Sequence, residues 1–584
     1  VSIIESEPSA ASRAPAGRTG GTGRAGGSGR AEGQWALGQT EPLNANEAWK
    51  AREGGLAVRD RVLSTFAREG FASIPAEDLR GRLRWWGLYT QRRPGIDGGR
   101  TASLEPHELD DEYFMLRIRI DGGAVNLAQL RTLADISTRY ARGTADITDR
   151  QNIQYHWIRI EDVPAIWEAL DGVGLRTTEA CGDTPRVVLG SPVAGAAADE
   201  IVDGTPAVQE IVRRWVGDPG LANLPRKFKT AVSGSPHQDV AHEIHDVAFV
   251  GVVHPEHGPG FDVWVGGGLS TTPVLARRLG AWVPLEDVAD VWHGVVRVFR
   301  DYGYRRLRNR ARLKFLVADW GAERFREVLE TEYLGRRLVD GPAPPPPPLG
   351  RTDHVGVHRQ RRGRFYVGVA PVVGRVSGDL LAGLADAAGR AGSDRIRLTP
   401  EQKVVVLDVE APKVADLLDD LEATGLSARA STFRRGTMAC TGIEFCKLAI
   451  VETKAAGAGL VAELERRFAD VPELFAVDAP PLSININGCP NSCARAQIAD
   501  IGLKGVQLPN PDDPQGPTVE GFQIHLGGGL GAEAGFGRKL RGLRTTSADL
   551  PDYVERVVRR WLDRRTDGES FAAWVGRAAE ADLG

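Results

Sequence analysis

Cysteine is scarce, with five in 584 residues. So few in so long a chain exclude a fold stapled by disulfides, the device of small secreted domains. Long apolar runs are missing too. The longest, near Val247–Val253, is strand-sized and far short of a membrane span. A strong charge bias is absent: 73 basic and 77 acidic side chains leave −4, which argues against a chain devoted to nucleic acid or membrane surfaces. Lysine is short as well, at ten against 63 arginines. A GC-rich genome explains that bias, and it makes each lysine easier to weigh. What remains is an ordinary globular composition, 42% hydrophobic and 26% charged, long enough for roughly three to four domains.

Residues 1–33 hold almost no large apolar side chain after Ile4, so they cannot offset their ordering entropy and are expected to be disordered. They contain no apolar signal core, and a plain flexible arm or a start-site error fits them better than a transit peptide. A cytoplasmic location is expected. Gly341–Pro348 reads as a stiff polyproline linker between two parts of similar size.

Those two parts repeat. Phe114-Met-Leu-Arg-Ile-Arg matches Phe365-Tyr-Val-Gly-Val-Ala at an offset of 251. Thr148-Asp-Arg-Gln151 matches Thr399-Pro-Glu-Gln402, and Gly174-Leu175 matches Gly425-Leu426, both at 251 again. Ile244-His-Asp246 matches Ile498-Ala-Asp500 at 254, and Gly266-Gly-Gly-Leu269 matches Gly527-Gly-Gly-Leu530 at 261. Within the first copy, hydrophobic period predicts a strand over Tyr113–Ile120, a helix over Leu127–Tyr140, a strand over Ile153–Ile160 and a helix over Val163–Leu170. The expected architecture is α+β, with ferredoxin-like half-domains paired about a pseudo-two-fold axis. The predicted boundaries are an arm over 34–105 that carries Tyr89, half-domains over 106–175 and 351–427, larger α+β domains over 176–340 and 428–584, and a linker over 341–350.

Four cysteines form two groups, Cys440-Thr-Gly-Ile-Glu-Phe-Cys446 and Cys489-Pro-Asn-Ser-Cys493, separated by 42 residues. Clustered thiolates point to a metal. Structural zinc favours a shorter first spacing, so a four-iron cluster fits better, with zinc and inert thiols as the other readings. At the offset of 254, Ser235 and Asp239 replace Cys489 and Cys493, so only one copy carries these ligands.

The two cysteine groups, with Asn487-Gly-Cys-Pro-Asn-Ser-Cys493, closely resemble the ferredoxin-dependent sulfite and nitrite reductases, from roughly Pro75 to the C-terminus. The resemblance implies a [4Fe-4S] cluster on Cys440, Cys446, Cys489 and Cys493, coupled to sirohaem, with Cys493 as the axial thiolate. It implies reduced ferredoxin as donor and sulfite or nitrite as substrate. Thr148-Asp-Arg-Gln-Asn-Ile-Gln154 resembles the family's sirohaem segment, so Arg150, Gln151 and Asn152 are expected at the cofactor. Arg310 and Lys314, in the basic run Arg305–Lys314, are further candidates; alone, that run would read as a solvated helix face or a nucleic-acid patch. Arg117, Arg186, Lys227 and Lys229 match the four substrate cations of the family. Converging cations stabilise an anion that loses oxygen and gains protons, and lysine can also release a proton. A solvated strand face is the bland reading of Lys227 and Lys229.

Cys181 is the fifth cysteine. Its context, Thr178-Glu-Ala-Cys-Gly-Asp-Thr-Pro-Arg186, looks like the sulfite-reducing version of the segment, and Tyr89 holds the place of a tyrosine that some members join to it covalently. A Tyr89–Cys181 thioether and a preference for sulfite are therefore expected, with nitrite reduction as the alternative and a buried inert thiol as the bland reading of Cys181. A non-catalytic electron-transfer protein is the rival from another class, and the four cations argue against it. Stretches Arg80–Arg93 and Arg359–Arg364 are expected to meet an acidic electron donor. The glycine turns lack the arrangement of a dinucleotide site and read as close backbone approach. A monomer is expected.

Overall fold

The computed structural model describes residues 44–348, 353–540 and 542–584. The tail expected over 1–33 and the last two residues of the linker expected over 341–350 lie outside them. Four sheets carry the described chain, as two pairs in which one design appears twice.

The half-domains form where the apolar period changes. In the first, strand Asp110–Ile118 is followed by helix Leu127–Tyr140, which buries Leu130, Leu133, Ala134 and Ile136 on one stripe. Asn126 caps that helix: its carbonyl oxygen accepts from the Gln129 amide at 2.8 Å, and the Gln129 side chain accepts from the Asn126 amide at 3.0 Å. Strand Ile153–Ile158 and helix Val163–Asp171 complete the unit. The second half-domain repeats it with Phe365–Val369, Gly378–Arg390, Val404–Val409 and Val414–Ala423. Strand Ile153–Ile158 stops short of the expected Ile160 at a kink: Trp157 has φ +64, and its counterpart Asp408 has φ +60.

Each half-domain lends an edge strand to the other. Ala124–Val125 pairs with Ile396–Leu398, and Arg375–Ser377 pairs with Thr144–Ile147. The exchange requires glycine in both copies. Gly123, at φ +66, would place a Cβ 2.2 Å from the Leu398 carbonyl oxygen; Gly374, at φ +72, would place one 2.7 Å from that of Ile147. One core fills both units, running from Leu116, Leu133 and Tyr155 to Leu384 and Val406. The arm adds strand Leu88–Arg92 antiparallel to Asp110–Ile118, with Tyr89 opposite Met115.

The larger domains also share a plan. Pro185–Gly190, Phe228–Ser233 and Val247–His254 run parallel, and Gly258–Val265 and Arg277–Val283 return antiparallel. In the second copy Thr437–Ala439, Ile484–Asn487 and Ile501–Leu508 are parallel, and Val519–Leu526 and Arg544–Thr546 return. The parallel strands are buried on both faces, as continuous apolar runs such as Val187–Leu189 demand. Helices Val288–Tyr302 and Leu550–Arg564 pack onto these sheets through Trp292 and Trp561.

The glycine turns lie against equivalent backbone. Gly267 N donates to His245 O at 2.8 Å and Gly528 N to Ala499 O at 2.9 Å. Each turn then reaches the other copy: Gln497 donates to Ser270 O at 2.9 Å, and Gly531 N donates to the Glu243 carboxylate at 2.7 Å. The linker is anchored, with Gly341 N donating to Gly280 O at 3.0 Å and Pro345 O accepting from Gln238 at 2.8 Å. Among the described residues no helix is long and apolar enough to cross a membrane.

Candidate active site

The cysteine loops leave the ends of two adjacent parallel strands. Thr437–Ala439 delivers Cys440, whose amide donates to Ile486 O at 3.1 Å, and Ile484–Asn487 delivers the loop with Cys489 and Cys493. Gly488 N donates to the Cys440 sulfur at 3.2 Å, and the Asn487 side chain accepts from Ala494 N at 2.7 Å. Cys440, Cys446 and Cys489 are half-buried and Cys493 is exposed. The thiols feel one another. Burial, then Cys493 and Cys446, pushes Cys440 up to about 12, and burial followed by the other three pushes Cys489 up. Two cysteines on each of two adjacent loops are the donor set that a four-iron cluster takes.

The arm holds the first cysteine loop from outside. Arg92 N donates to Phe445 O at 2.8 Å, its guanidinium reaches Ala449 O at 3.3 Å, and Lys447 contacts Thr90 and Asp110. Phe445 stacks on His156 at 3.8 Å, and Gln154 donates to Thr441 at 3.0 Å. Half-domain one, the arm and the cluster loop are thus joined at one place.

Four predicted cations are brought to this junction. Lys227 and Lys229 stand at the start of strand Phe228–Ser233, and among the described residues neither ammonium has a hydrogen-bond or ion-pair partner. Burial lowers both and Arg312 lowers both further; Asp149 opposes this at Lys229, and Cys493 opposes it at both. Asp246 accepts from Lys229 N at 2.8 Å and fixes the strand end. Lys50, on helix Ala45–Arg52, donates to Leu224 O at 3.0 Å and anchors the loop before it. Arg117 donates to Gln154 and lies 3.6 Å from the Cys181 sulfur, while its Nε is buried without a partner. Arg186 is held by Gly182 O at 2.9 Å.

Cys181 is buried beside Tyr89. Burial and the Cys181 thiol raise the Tyr89 hydroxyl, against Arg186, Arg84 and Arg117. Gly182, at φ +92, lets the chain pass Trp85, where a Cβ would lie 2.7 Å from the indole.

Several predicted residues are engaged elsewhere. Gln151, expected at the cofactor, donates to Gly190 O and Leu398 O at 2.9 Å each and accepts from Gly190 N at 3.0 Å. It is a strut between the half-domains and the first large domain, and its counterpart Gln402 does the same with Ala439. Lys314 donates to Gly268 O at 3.1 Å, Leu269 O at 2.9 Å and Thr272 O, so all its protons clamp the glycine turn. In its run, Arg305, Arg308 and Arg312 pair with Glu47, Asp183 and Asp246, which corrects both a free basic face and a wholly cofactor-facing one. Arg310 is exposed, 5.0 Å over Phe315. The stretch Arg80–Arg93 is likewise no open basic surface: Arg80 pairs with Asp110, Arg82 with Asp78, and Arg92 is buried. In Arg359–Arg364, Arg361 and Arg364 pair with Glu200 and Glu410, and Arg359 and Arg362 are exposed.

Other residues at the junction escaped sequence reasoning. Arg84 lies 5.3 Å over Tyr89 and makes no ion pair among the described residues. Burial holds His245 well below the usual range, helped by Lys229. Arg495 bridges Asp149 and Glu401.

The unpartnered buried atoms here test the implied tetrapyrrole. Arg117 Nε, Arg150 Nη2, Asn152 Nδ2 and Asn487 Nδ2 are donors without a hydrogen-bond partner, against two such acceptors, Glu401 Oε2 and Asn485 Oδ1. Buried donors are costly unless satisfied. A surplus of donors beside two unpaired ammoniums fits a macrocycle ringed with carboxylates, and Arg150 and Asn152 are the predicted contributors that remain open to it.

Family models match nearly all of this framework. The "Nitrite/Sulfite reductase ferredoxin-like half domain" matches residues 107–173 and 358–424, and the "Nitrite and sulphite reductase 4Fe-4S domain" matches 181–338 and 430–578. A "Sulfite reductase [ferredoxin]" of Mycobacterium tuberculosis (strain ATCC 25618 / H37Rv) is 60% identical over 94% of this chain and 98% of its own length. An "Assimilatory ferredoxin-dependent nitrite reductase" of Haloferax mediterranei is 38% identical over 91% of each. The solved structure of the Mycobacterium tuberculosis NirA protein superposes with a TM-score of 0.91 at 60% identity, covering 94% of this chain and all of that one. With its duplicated half-domains, its cysteine pair of loops and its ring of cations, the chain belongs to the nitrite and sulfite reductase family.

Proposed function

We propose that the chain reduces sulfite to sulfide by six electrons drawn from ferredoxin, using sirohaem and a [4Fe-4S] cluster. The observation that carries this reading is the pair of ammoniums, Lys227 and Lys229, that lack a hydrogen-bond or ion-pair partner among the described residues, in a chain that also sets Arg117 3.6 Å from the buried Cys181 sulfur and holds Arg186 on Gly182 O. Electron transfer alone needs no anion pocket. Cys440, Cys446, Cys489 and Cys493 would hold the cluster, and Cys493, Arg150 and Asn152 would hold the haem, the last two through its carboxylates. The bound centre supplies electrons and a site for the sulfur atom. The protein's own groups do the rest: Arg117 and Arg186 orient the anion's oxygens, and the lysines, depressed by burial and like charge, are poised to give protons to departing oxygen. Six protons and six electrons convert sulfite to sulfide and three waters.

Sulfite is favoured over nitrite by the 60% identical relative's name and by Cys181 beside Tyr89 and Arg117. A thioether between the Tyr89 ring and Cys181 would remove two hydrogens and require an oxidant such as dioxygen; peptide mass spectrometry finding both residues free in active enzyme overturns it. The chain is taken to act as a cytoplasmic monomer. The deciding experiment is anaerobic turnover of one cofactor-loaded preparation with reduced ferredoxin. Higher catalytic efficiency on sulfite, with sulfide as product, is expected. A clear preference for nitrite, with ammonia as product, reverses the substrate assignment.

A further inference from the structure

The second cysteine loop carries a charge that its counterpart lacks. Arg495 stands two residues after Cys493 with φ +62; Ala241, at the equivalent place in the first copy, has φ +50 and no charged side chain. The backbone turn belongs to the duplicated design, and the guanidinium belongs only to the copy with the cysteines. Arg495 is 5% exposed. It donates to Asp149 O at 2.7 Å and lies 3.7 Å from the Glu401 carboxylate. Asp149 and Glu401 sit in equivalent loops, Thr148–Gln151 and Thr399–Gln402, one from each half-domain. A single side chain therefore ties both half-domains to the loop of Cys489 and Cys493. Its Nε makes no hydrogen bond and lies 3.8 Å from the Asp149 carboxylate, and Glu401 Oε2 is buried without a hydrogen-bond partner.

Resting on the function proposed above, we propose that Arg495 is a positioning residue for Cys493 and the centre bound there, and that its charge, offset by Asp149 and Glu401, sets how readily that centre accepts electrons. A centre held by four thiolates becomes more negative on reduction. A buried cation two residues from one ligand favours the added electron, because low local dielectric strengthens the attraction. Glu401 opposes this effect. Its carboxyl is raised to about 7 by burial and by Asp239 and Asp353, against Arg495 and His354, so it is ionised above that pH. A residue serving only as a staple would change how well cofactors are retained and leave the potential untouched.

The test uses full-length, cofactor-loaded wild type, Glu401→Gln, Arg495→Lys and Arg495→Met. Iron, acid-labile sulfide and sirohaem are quantified, and midpoint potentials are read by anaerobic titration followed by EPR at alkaline pH. Glu401→Gln is expected to retain wild-type cofactor content and to move the midpoint to more positive potential. Arg495→Met is expected to lose cofactor or move the midpoint to more negative potential, with Arg495→Lys restoring most of either effect. A wild-type midpoint in Glu401→Gln overturns the electrostatic role, and wild-type content and midpoint in Arg495→Met overturn the whole proposal. Wild type that binds neither cofactor overturns the underlying function, which is visible before any variant is compared.

Discussion

Asp246→Asn tests the frame that aims Lys229. Asp246 is wholly buried. One oxygen accepts from Lys229 N and from Arg312 Nη2, both at 2.8 Å, and the other accepts from Arg312 Nε at 3.1 Å. Asparagine keeps the shape, turns one acceptor into a donor facing donors, and leaves the buried Arg312 guanidinium without its counter-charge. Breaking one side of such a pair costs about 3–5 kcal/mol. At about 1.4 kcal/mol per factor of ten, that is on the order of a hundred- to a few-thousand-fold in a local opening equilibrium. The assay is hydrogen exchange at the Lys229 amide and along Phe228–Ser233, because a chain of several domains need not unfold in one step. Adding Arg312→Met removes the stranded charge and should return part of the lost protection. Wild-type exchange rates in Asp246→Asn, or a double variant no better protected than the single one, would refute the reasoning.

Lys227→Met and Lys229→Met should each lower kcat/KM by on the order of a hundred- to a thousand-fold with folding intact, the usual effect of removing one preorganised donor; anaerobic kinetics beside a melting curve checks both. Glu179 is buried, with its carboxyl raised to about 7 by burial. A carboxyl raised on folding weakens the folded state as pH climbs from its ordinary value toward the raised one, so Glu179→Gln should stabilise by roughly 3 kcal/mol at pH 8, with the gain shrinking toward pH 4.5. Melting curves across that range would show no such trend if the Glu179 carboxyl kept its ordinary value in the folded protein. Gly182→Ala should destabilise the Cys181 loop by about 1–3 kcal/mol, because φ +92 and Trp85 both oppose a Cβ; faster thiol labelling of Cys181 reports it.

Period and offset were legible in the sequence because strands and helices keep their register through a duplication. Helix Leu127–Tyr140 has the bounds that its apolar stripe predicts. The exchanged edge strands were not legible, since two or three residues carry no period, although Gly123 and Gly374 mark both exchanges at the same offset. The cysteines and Lys227 and Lys229 stood out by rarity. Backbone carbonyls engage the Gln151 and Lys314 side chains, a detail the sequence did not give because a motif gives nearness and not the direction of a side chain. Arg84, Arg495 and Glu401 were invisible for the opposite reason. In a chain with 63 arginines, no local pattern separates the one that crosses to a carboxylate some ninety residues away in sequence from those on the surface.

The comparison of the two copies explains why one pole does chemistry. Gln151 holds Gly190 as Gln402 holds Ala439, so Ser191 stands where Cys440 stands, with Ser235 and Asp239 in the places of Cys489 and Cys493. In the first copy Asp239 gathers Ser191 at 2.7 Å, Ser233 at 2.8 Å and His354 at 2.9 Å, a polar knot joining the loops that thiols would otherwise join through a cluster. Val193, Ala197, Tyr366, Val405 and Leu407 pack around that pole. At the offset of 251, Gly368 replaces Arg117 and Val405 replaces Gln154, and at 254 Pro481 and Ser483 replace Lys227 and Lys229. A pole without the counterparts of Arg117, Lys227, Lys229 and the cysteines lacks the groups proposed to hold an anion over a metal centre. On the proposed function, the duplicated frame supplies rigidity twice and chemistry once, and the reacting pole would draw on both copies, with substrate cations from the first and sulfur ligands from the second.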